Sequence, residues 1–382
     1  WGKLSNWNHE IIMQEMKILI VEDDESVYKD IYKRNIEWFN KENREFQING
    51  IWLQQKDKAI SALKDPVNIF DGAIVDLDLM GTGGTDTSGN EVIREIKENL
   101  RFPIFVITGT PHNIASELNI PNFIFNVYER DNVDVYEILN KFKLIKVTGI
   151  LNLLNRNGKI EELIQNIFWN HISTSLDGWI FDDKRNPDEK EDSLLRYTIL
   201  HMLEYLDENK VHPSEFYITR PIKTLLSTGD LVKRGDYRYV VLTPSCDFVF
   251  RPNGDRNVRN VFLLKIIELH DHFSTLIESI QKGEISNSLK ENLKKIITNN
   301  KPYYHFIPKH NEINAGIIDF QDKLSMPIEE IEIEIENNEV DRFATITLPF
   351  LKDLIERYSS YYARQGSPDF DVDEVINSLK ND

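Results

Sequence analysis

The segment MKILIVEDDE, residues 16–25, ends an apolar run, Ile18 to Val21, in four carboxylates: Glu22, Asp23, Asp24 and Glu25. Acids gathered this closely repel one another unless a cation screens them, and a hard cation such as Mg²⁺ takes oxygen ligands of this kind. Two further apolar runs end in polar groups. Ala73-Ile74-Val75 leads into Asp76, and Pro103-Ile104-Phe105-Val106-Ile107 leads into Thr108. An acid pair, an acid and a hydroxyl thus follow three separate apolar runs.

Those runs are short and rich in Ile and Val, as central strands buried on both faces are. Helical spacing fills the gaps, over Val27 to Phe39 and over Glu91 to Asn99. Alternating strands and helices predict an α/β fold with a doubly wound parallel sheet. Such sheets bind ligands at the carboxyl ends of their strands, where the polar residues lie.

This order of residues resembles the receiver domain of two-component response regulators, over roughly residues 16–143, a third of the chain. Glu22 and Asp23 match the family's acidic pair, Asp76 its phosphoryl-accepting aspartate, and Thr108 its hydroxyl residue, with Gly109 in the small position that follows. The resemblance implies a flavodoxin-like sheet and phosphoryl transfer to Asp76. It also implies Mg²⁺ held by Glu22, Asp23, Asp76 and the backbone carbonyl of Asp78, and a Thr108 hydroxyl donated to a phosphoryl oxygen. The chemistry suits these types. A carboxylate can form an acyl phosphate, and charge developing on phosphoryl oxygens calls for a metal and a cation.

Three departures stand out. The family's lysine position falls at Arg130, in FNVYERDN; a guanidinium keeps the charge but binds as a fork rather than a point. The aromatic switch position falls near Val127, with Tyr128 adjacent. The loop Met80 to Asn90, MGTGGTDTSGN, is long and carries four glycines. It is read as a tolerated insertion or as a lid or docking loop; no Gly-Lys-Ser/Thr follows to make it a nucleotide-binding loop.

The 382 residues suffice for two domains. The single cysteine precludes an internal disulfide and suits the cytoplasm. No run is long enough to insert in a membrane, and no signal peptide is visible. The net charge of -18 argues against the basic surface that DNA binding needs. Residues 1–15 are read as a leader or appended sequence, 16–145 as the receiver, 146–210 as a helical connector and 211–382 as an α+β output domain.

In the connector, helices are expected over Ile160 to Ile172 and Leu194 to Leu206, with the polar residues 181–193 as a loop. From His212 the chain reads as the short strands and turns of a small β-barrel or curled sheet, and YVVLTPSCD resembles the start of an SH3-like barrel as in PemK/MazF-type endoribonucleases. The wider pattern resembles output domains fused to receivers in bacterial anti-phage systems. One helical stretch is expected from Phe273 to Ile297, and a last helix from Pro349 to Arg364.

Cys246 and Asp247, with His212, His305 or His310 as base, are the candidates for a nucleophilic site. The plainer reading makes Cys246 a buried apolar residue, Ser245 and Asp247 turn formers, and His212 and Glu215 helix caps. Arg357 and Arg364 with Tyr358, Tyr361 and Tyr362 form either a phosphate or base-stacking surface or a packed cap with snorkelling arginines. The resulting expectation is a phosphorylation-controlled switch. Its partners would be a sensor histidine kinase, a protein contacted by the output domain, or a second copy in a homodimer. A receiver-gated hydrolase or RNase using His212, Cys246, Asp247 and Arg357, and a pseudo-receiver scaffold, are the alternatives.

Overall fold

The structure, a computed structural model, describes residues 14–80, 86–156, 158–205, 211–283, 286–364 and 369–380. Residues 1–13 of the expected leader and 81–85 of the glycine-rich loop lie outside the described residues. The chain divides into two compact units, 1–207 and 208–382.

The first unit is built on five parallel strands: β1 (Gln14–Val21), β2 (Phe46–Leu53), β3 (Gly72–Val75), β4 (Ile104–Thr108) and β5 (Phe125–Glu129). Their order is β2-β1-β3-β4-β5, the flavodoxin-like order of doubly wound sheets. Every residue of β3 and β4 is buried, as expected for strands covered on both faces. Helices Arg34–Glu42, Gly89–Asn99 and Val135–Val147 contribute Phe39, Val92, Ile93, Ile96, Leu139 and Phe142 to one core with the sheet. The first helix begins at Glu25, capped by Asp24, and takes π-helical turns over Tyr28–Lys33.

The connector helices belong to this same unit. Arg101 donates to the Leu154 carbonyl and to Glu161, both at 2.9 Å. The polar stretch 181–193 departs from its expectation as a loop. Asn186 and Glu189 form a capping box with Pro187 at the first position, so a helix starts inside it and runs to Glu204. That helix buries none of its residues. Among the described residues, no helix is long and apolar enough to cross a membrane.

The second unit holds seven strands: β6 (Tyr217–Thr219), β7 (Asp230–Arg234), β8 (Tyr237–Val241), β9 (Asn260–Glu268), β10 (Tyr304–Ile307), β11 (Gly316–Pro327) and β12 (Val340–Ile346). They form an antiparallel sheet in the order β10-β11-β9-β8-β7-β12-β6. Alternation sets two faces. Leu231, Val240 and Leu264 pack with Leu351 and Leu354 of helix Leu348–Ala363. Their neighbours Val232, Val241 and Leu263 pack with Ile328 and Ile331 of helix Ile328–Glu336.

Of the small β-barrel and the curled sheet expected here, the structure forms the sheet. β12 arrives from a hundred residues downstream and pairs with β7, leaving β6 and β10 as edges. The expected helix Phe273–Ile297 is two helices, Ser274–Gln281 and Asn287–Ile297. Gly283 adopts a positive φ of 75° past the first, and Ser286 caps the second.

His305 sits in β10 almost wholly buried. Burial, helped by the Arg357 charge, pushes its pKa down to about 4. The Asp353 carboxylate 3.6 Å away is half exposed, so solvent screens its opposing pull. The folded state therefore holds His305 neutral while the unfolded chain binds a proton near pH 6.5. Stability from this residue is complete above pH 6.5 and lost as pH falls toward 4, by about 3 kcal/mol at most. Denaturant midpoints measured across that window should slope, and His305→Phe should flatten the slope; an unchanged slope would show that His305 does not carry it.

Candidate functional site

Register brings the distant acids together. Val21 pairs with Val75 in adjacent parallel strands, so Glu22 and Asp76 are the next residues of β1 and β3. Val75 pairs with Val106, and Thr108 with Glu129, which puts Thr108 at the end of β4 and Arg130 one residue beyond β5. All four lie at the carboxyl edge of the sheet.

Arg130 joins two of them, Asp76 and Glu22. Its Nη2 donates to Asp76 Oδ2 at 2.6 Å and to Glu22 Oε2 at 2.9 Å. Glu22 is fully buried. It also accepts the Asp24 N–H at 3.2 Å, and its carbonyl takes the Trp52 indole N–H at 2.8 Å. Burial pushes the Glu22 pKa up to about 8; the Asp76 charge adds to this, and Arg130 opposes it. Asp23 is raised too, first by burial and also by the charges of Asp76 and Asp78. Asp76 Oδ1 accepts the Leu77 N–H at 2.7 Å.

Carboxylate oxygens of Glu22, Asp23 and Asp76 lie within 4.8 Å of one another. Three oxygen donors in a partly buried cluster fit a hard divalent cation such as Mg²⁺. The Asp78 carboxylate accepts the Met80 N–H at 3.4 Å and stands outside this cluster of three.

Thr108 is fully buried. Its oxygen accepts the Thr110 N–H at 3.2 Å and lies 3.5 Å from the Thr110 hydroxyl. Tyr128 does not reach it by a hydrogen bond; its hydroxyl accepts from Lys141 at 2.8 Å. Val127 packs against the core.

Two supports of the site escaped sequence reading. Gly89, at the end of the glycine-rich loop, lies against the strand end: a Cβ there would stand 2.0 Å from the Asp76 carbonyl oxygen. Asn90 is buried and ties its helix to the loop after β4, donating to the Asn113 carbonyl and accepting from the Ala115 N–H, each at 3.0 Å. A Gly-Asn pair opening a helix beside a strand end was the only available signal.

In the second unit the other candidates have local partners. His212 and Glu215 form a capping box. Cys246 is exposed rather than buried, on the short helix Ser245–Phe248, with the Asp247 carboxylate 3.9 Å from its sulfur. Its short helix turns it outward, a placement that polarity alone does not signal. Asp247 also accepts from Asn257 at 3.4 Å, and Ser245 accepts the Thr228 N–H at 3.1 Å. Arg357 clamps the carbonyls of Asn299, Lys301 and Tyr304 at 2.8–3.2 Å. His310 stacks near Tyr217, and Arg364 lies 4.2 Å over the Tyr361 ring. Tyr358 packs on Phe320, and the Tyr362 hydroxyl donates to the Phe320 carbonyl at 3.0 Å.

No family model and no curated protein matches the chain. Among solved structures, it is similar to the signal receiver domain of a modulated diguanylate cyclase from Desulfovibrio desulfuricans G20, with 20% identity and a TM-score of 0.25, covering 34% of this chain and 90% of that one. It is also similar to a sensor protein from Polaromonas sp. JS666, with 16% identity and a TM-score of 0.25, covering 34% and 93%. A third similar structure is the N-terminal domain of a response regulator/sensory box/GGDEF protein from Carboxydothermus hydrogenoformans, with 18% identity and a TM-score of 0.24, covering 35% and 98%. Each of these similarities covers about a third of this chain.

Proposed function

We propose that this chain is a phosphorylation-controlled response regulator of a two-component system, working in the cytoplasm and signalling through its C-terminal unit. The observation that carries the reading is the Arg130 guanidinium bridging Asp76 and the buried Glu22 at the carboxyl ends of a 2-1-3-4-5 parallel sheet.

An Asp76 carboxylate oxygen attacks the phosphorus of a phosphohistidine on a partner kinase. The new O–P bond forms as the P–N bond breaks, and the departing imidazole takes a proton from water. Glu22, Asp23 and Asp76 would hold Mg²⁺, which supplies charge neutralisation on the phosphoryl oxygens when bound. Arg130 adds a second fixed cation beside the reacting carboxylate. Thr108, buried at the adjacent strand end, can turn its hydroxyl from Thr110 to a phosphoryl oxygen. That turn, together with new charge beside Arg130, gives the two packings between which a switch can move.

Beryllium fluoride with Mg²⁺ mimics the phosphoryl group. Added to the full chain, it is expected to raise the melting temperature and to change mass by light scattering if assembly is the output. Asp76→Ala should abolish both responses. A wild-type chain that answers no differently from Asp76→Ala would sink the reading and leave a pseudo-receiver scaffold.

A further inference from the structure

The first helix leaves α geometry over Tyr28–Lys33, and π-helical turns are rare and often found at functional sites. Tyr32 lies in this segment, 1% exposed. Its phenolic oxygen is buried with no hydrogen-bond partner. Arg130 Nε is buried and unpartnered in the same way. The phenol lies against the Arg130 side chain without an aligned hydrogen bond, and stands in the field of Glu22, Arg130 and Asp76.

Two orphaned groups side by side, one an N–H donor and the other able to accept, call for an arrangement in which they pair. In the present arrangement they lie close but are not aligned for a hydrogen bond. Arg130 is drawn to Glu22 Oε2 and Asp76 Oδ2 through Nη2, and its Nε is left without an aligned acceptor. A divalent cation competes for those same two carboxylates, so its arrival weakens the hold on the guanidinium.

We propose that Tyr32 is a positioning residue for Arg130: its oxygen accepts the Arg130 Nε–H once a divalent cation takes the Glu22 and Asp76 carboxylates, and so fixes the guanidinium for a phosphoryl oxygen. The inference rests on reading this site as a metal-assisted phosphoacceptor. Arg130 then has two seats, one on the acids and one on the phenol, and the metal decides between them. A lysine has one ammonium and no separate Nε–H, so it cannot hold the phenol and a phosphoryl oxygen through different nitrogens.

Calorimetric titration of the full chain with Mg²⁺ tests this. Tyr32→Phe is expected to weaken Mg²⁺ binding about fivefold, the effect of one hydrogen bond. In an Arg130→Lys background the same change should alter affinity less than twofold. Without Mg²⁺, Tyr32→Phe should leave the melting temperature unchanged or higher, because it removes an unpaired buried hydroxyl; a purely structural phenol would lower it. Equal weakening in both backgrounds, or none in the wild-type background, overturns the proposal while leaving the phosphoacceptor reading intact. A wild-type chain whose Mg²⁺ binding does not depend on Asp76 overturns both.

Discussion

Asp230→Ala is expected to destabilise the C-terminal unit by about 3–5 kcal/mol, the cost of stranding a buried charge. Asp230 is fully buried at the start of β7. Its carboxylate accepts the Ser227 N–H at 2.7 Å and the Thr345 hydroxyl at 2.5 Å. It also stands 2.8 Å from Arg342 Nε, and the Arg342 side chain is 12% exposed. Arg342 Nη1 donates to the Thr224 carbonyl at 3.1 Å, but Nε and Nη2 are buried without an aligned hydrogen bond. The guanidinium is thus held by the Asp230 charge more than by directed bonds. Removing the acid leaves that cation unscreened and empties two polar contacts between β7 and β12, from Thr345 and Arg342, and one to the Ser227 N–H of the preceding loop. Arg342→Met added to Asp230→Ala should recover part of the loss, since the stranded charge is then gone. Denaturant unfolding of both variants measures this, and a loss below about 1 kcal/mol for Asp230→Ala would refute it.

Gly89→Ala is expected to damage fold and site together. The added Cβ would stand 2.0 Å from the Asp76 carbonyl oxygen and 2.7 Å from Leu77 Cα. Both are backbone atoms of the segment carrying Asp76, so no flexible side chain can yield. Either helix Gly89–Asn99 moves outward, loosening Val92, Ile93 and Ile96 in the core, or Asp76 shifts away from Arg130. Overpacking of this kind costs about 1–3 kcal/mol and occasionally more, and contact with backbone puts this case at the upper end. A lowered melting temperature and a weakened beryllium fluoride response should appear together. Gly109→Ala is the control: nothing lies within 4 Å of a Cβ there, so both readouts should stay close to wild type. Equal behaviour of the two variants would count against the close approach of Gly89.

Much of the first unit was legible from local pattern. Runs such as GAIV and IFVI are apolar at every position, which only a strand covered on both faces accommodates, and the residue following each run had to lie at the sheet edge. Glu22, Asp23, Asp76 and Thr108 could therefore be placed near one another before any contact was known. Arg130 could be located by counting but not understood: its bonds reach residues 108 and 54 positions away.

The second unit was less legible. Its strands were found in outline, since alternation marks them, but alternation does not say which strand pairs with which. A hairpin such as β7–β8 followed by a third strand fits a barrel and an open sheet equally well. The choice was made by β12 taking the edge of β7, and by two helices covering opposite faces.

The sequence by itself determined which side chains turn inward and which polar groups end the strands, because burial follows periodicity and periodicity is local. Tertiary structure alone decided the pairing of Arg130 with Glu22 and Asp76, the burial of Tyr32 beside it, the contact of Gly89 with the Asp76 carbonyl and the Asp230–Arg342 ion pair. Each depends on distances between residues far apart in the chain, and those are set by packing of whole elements rather than by any local preference.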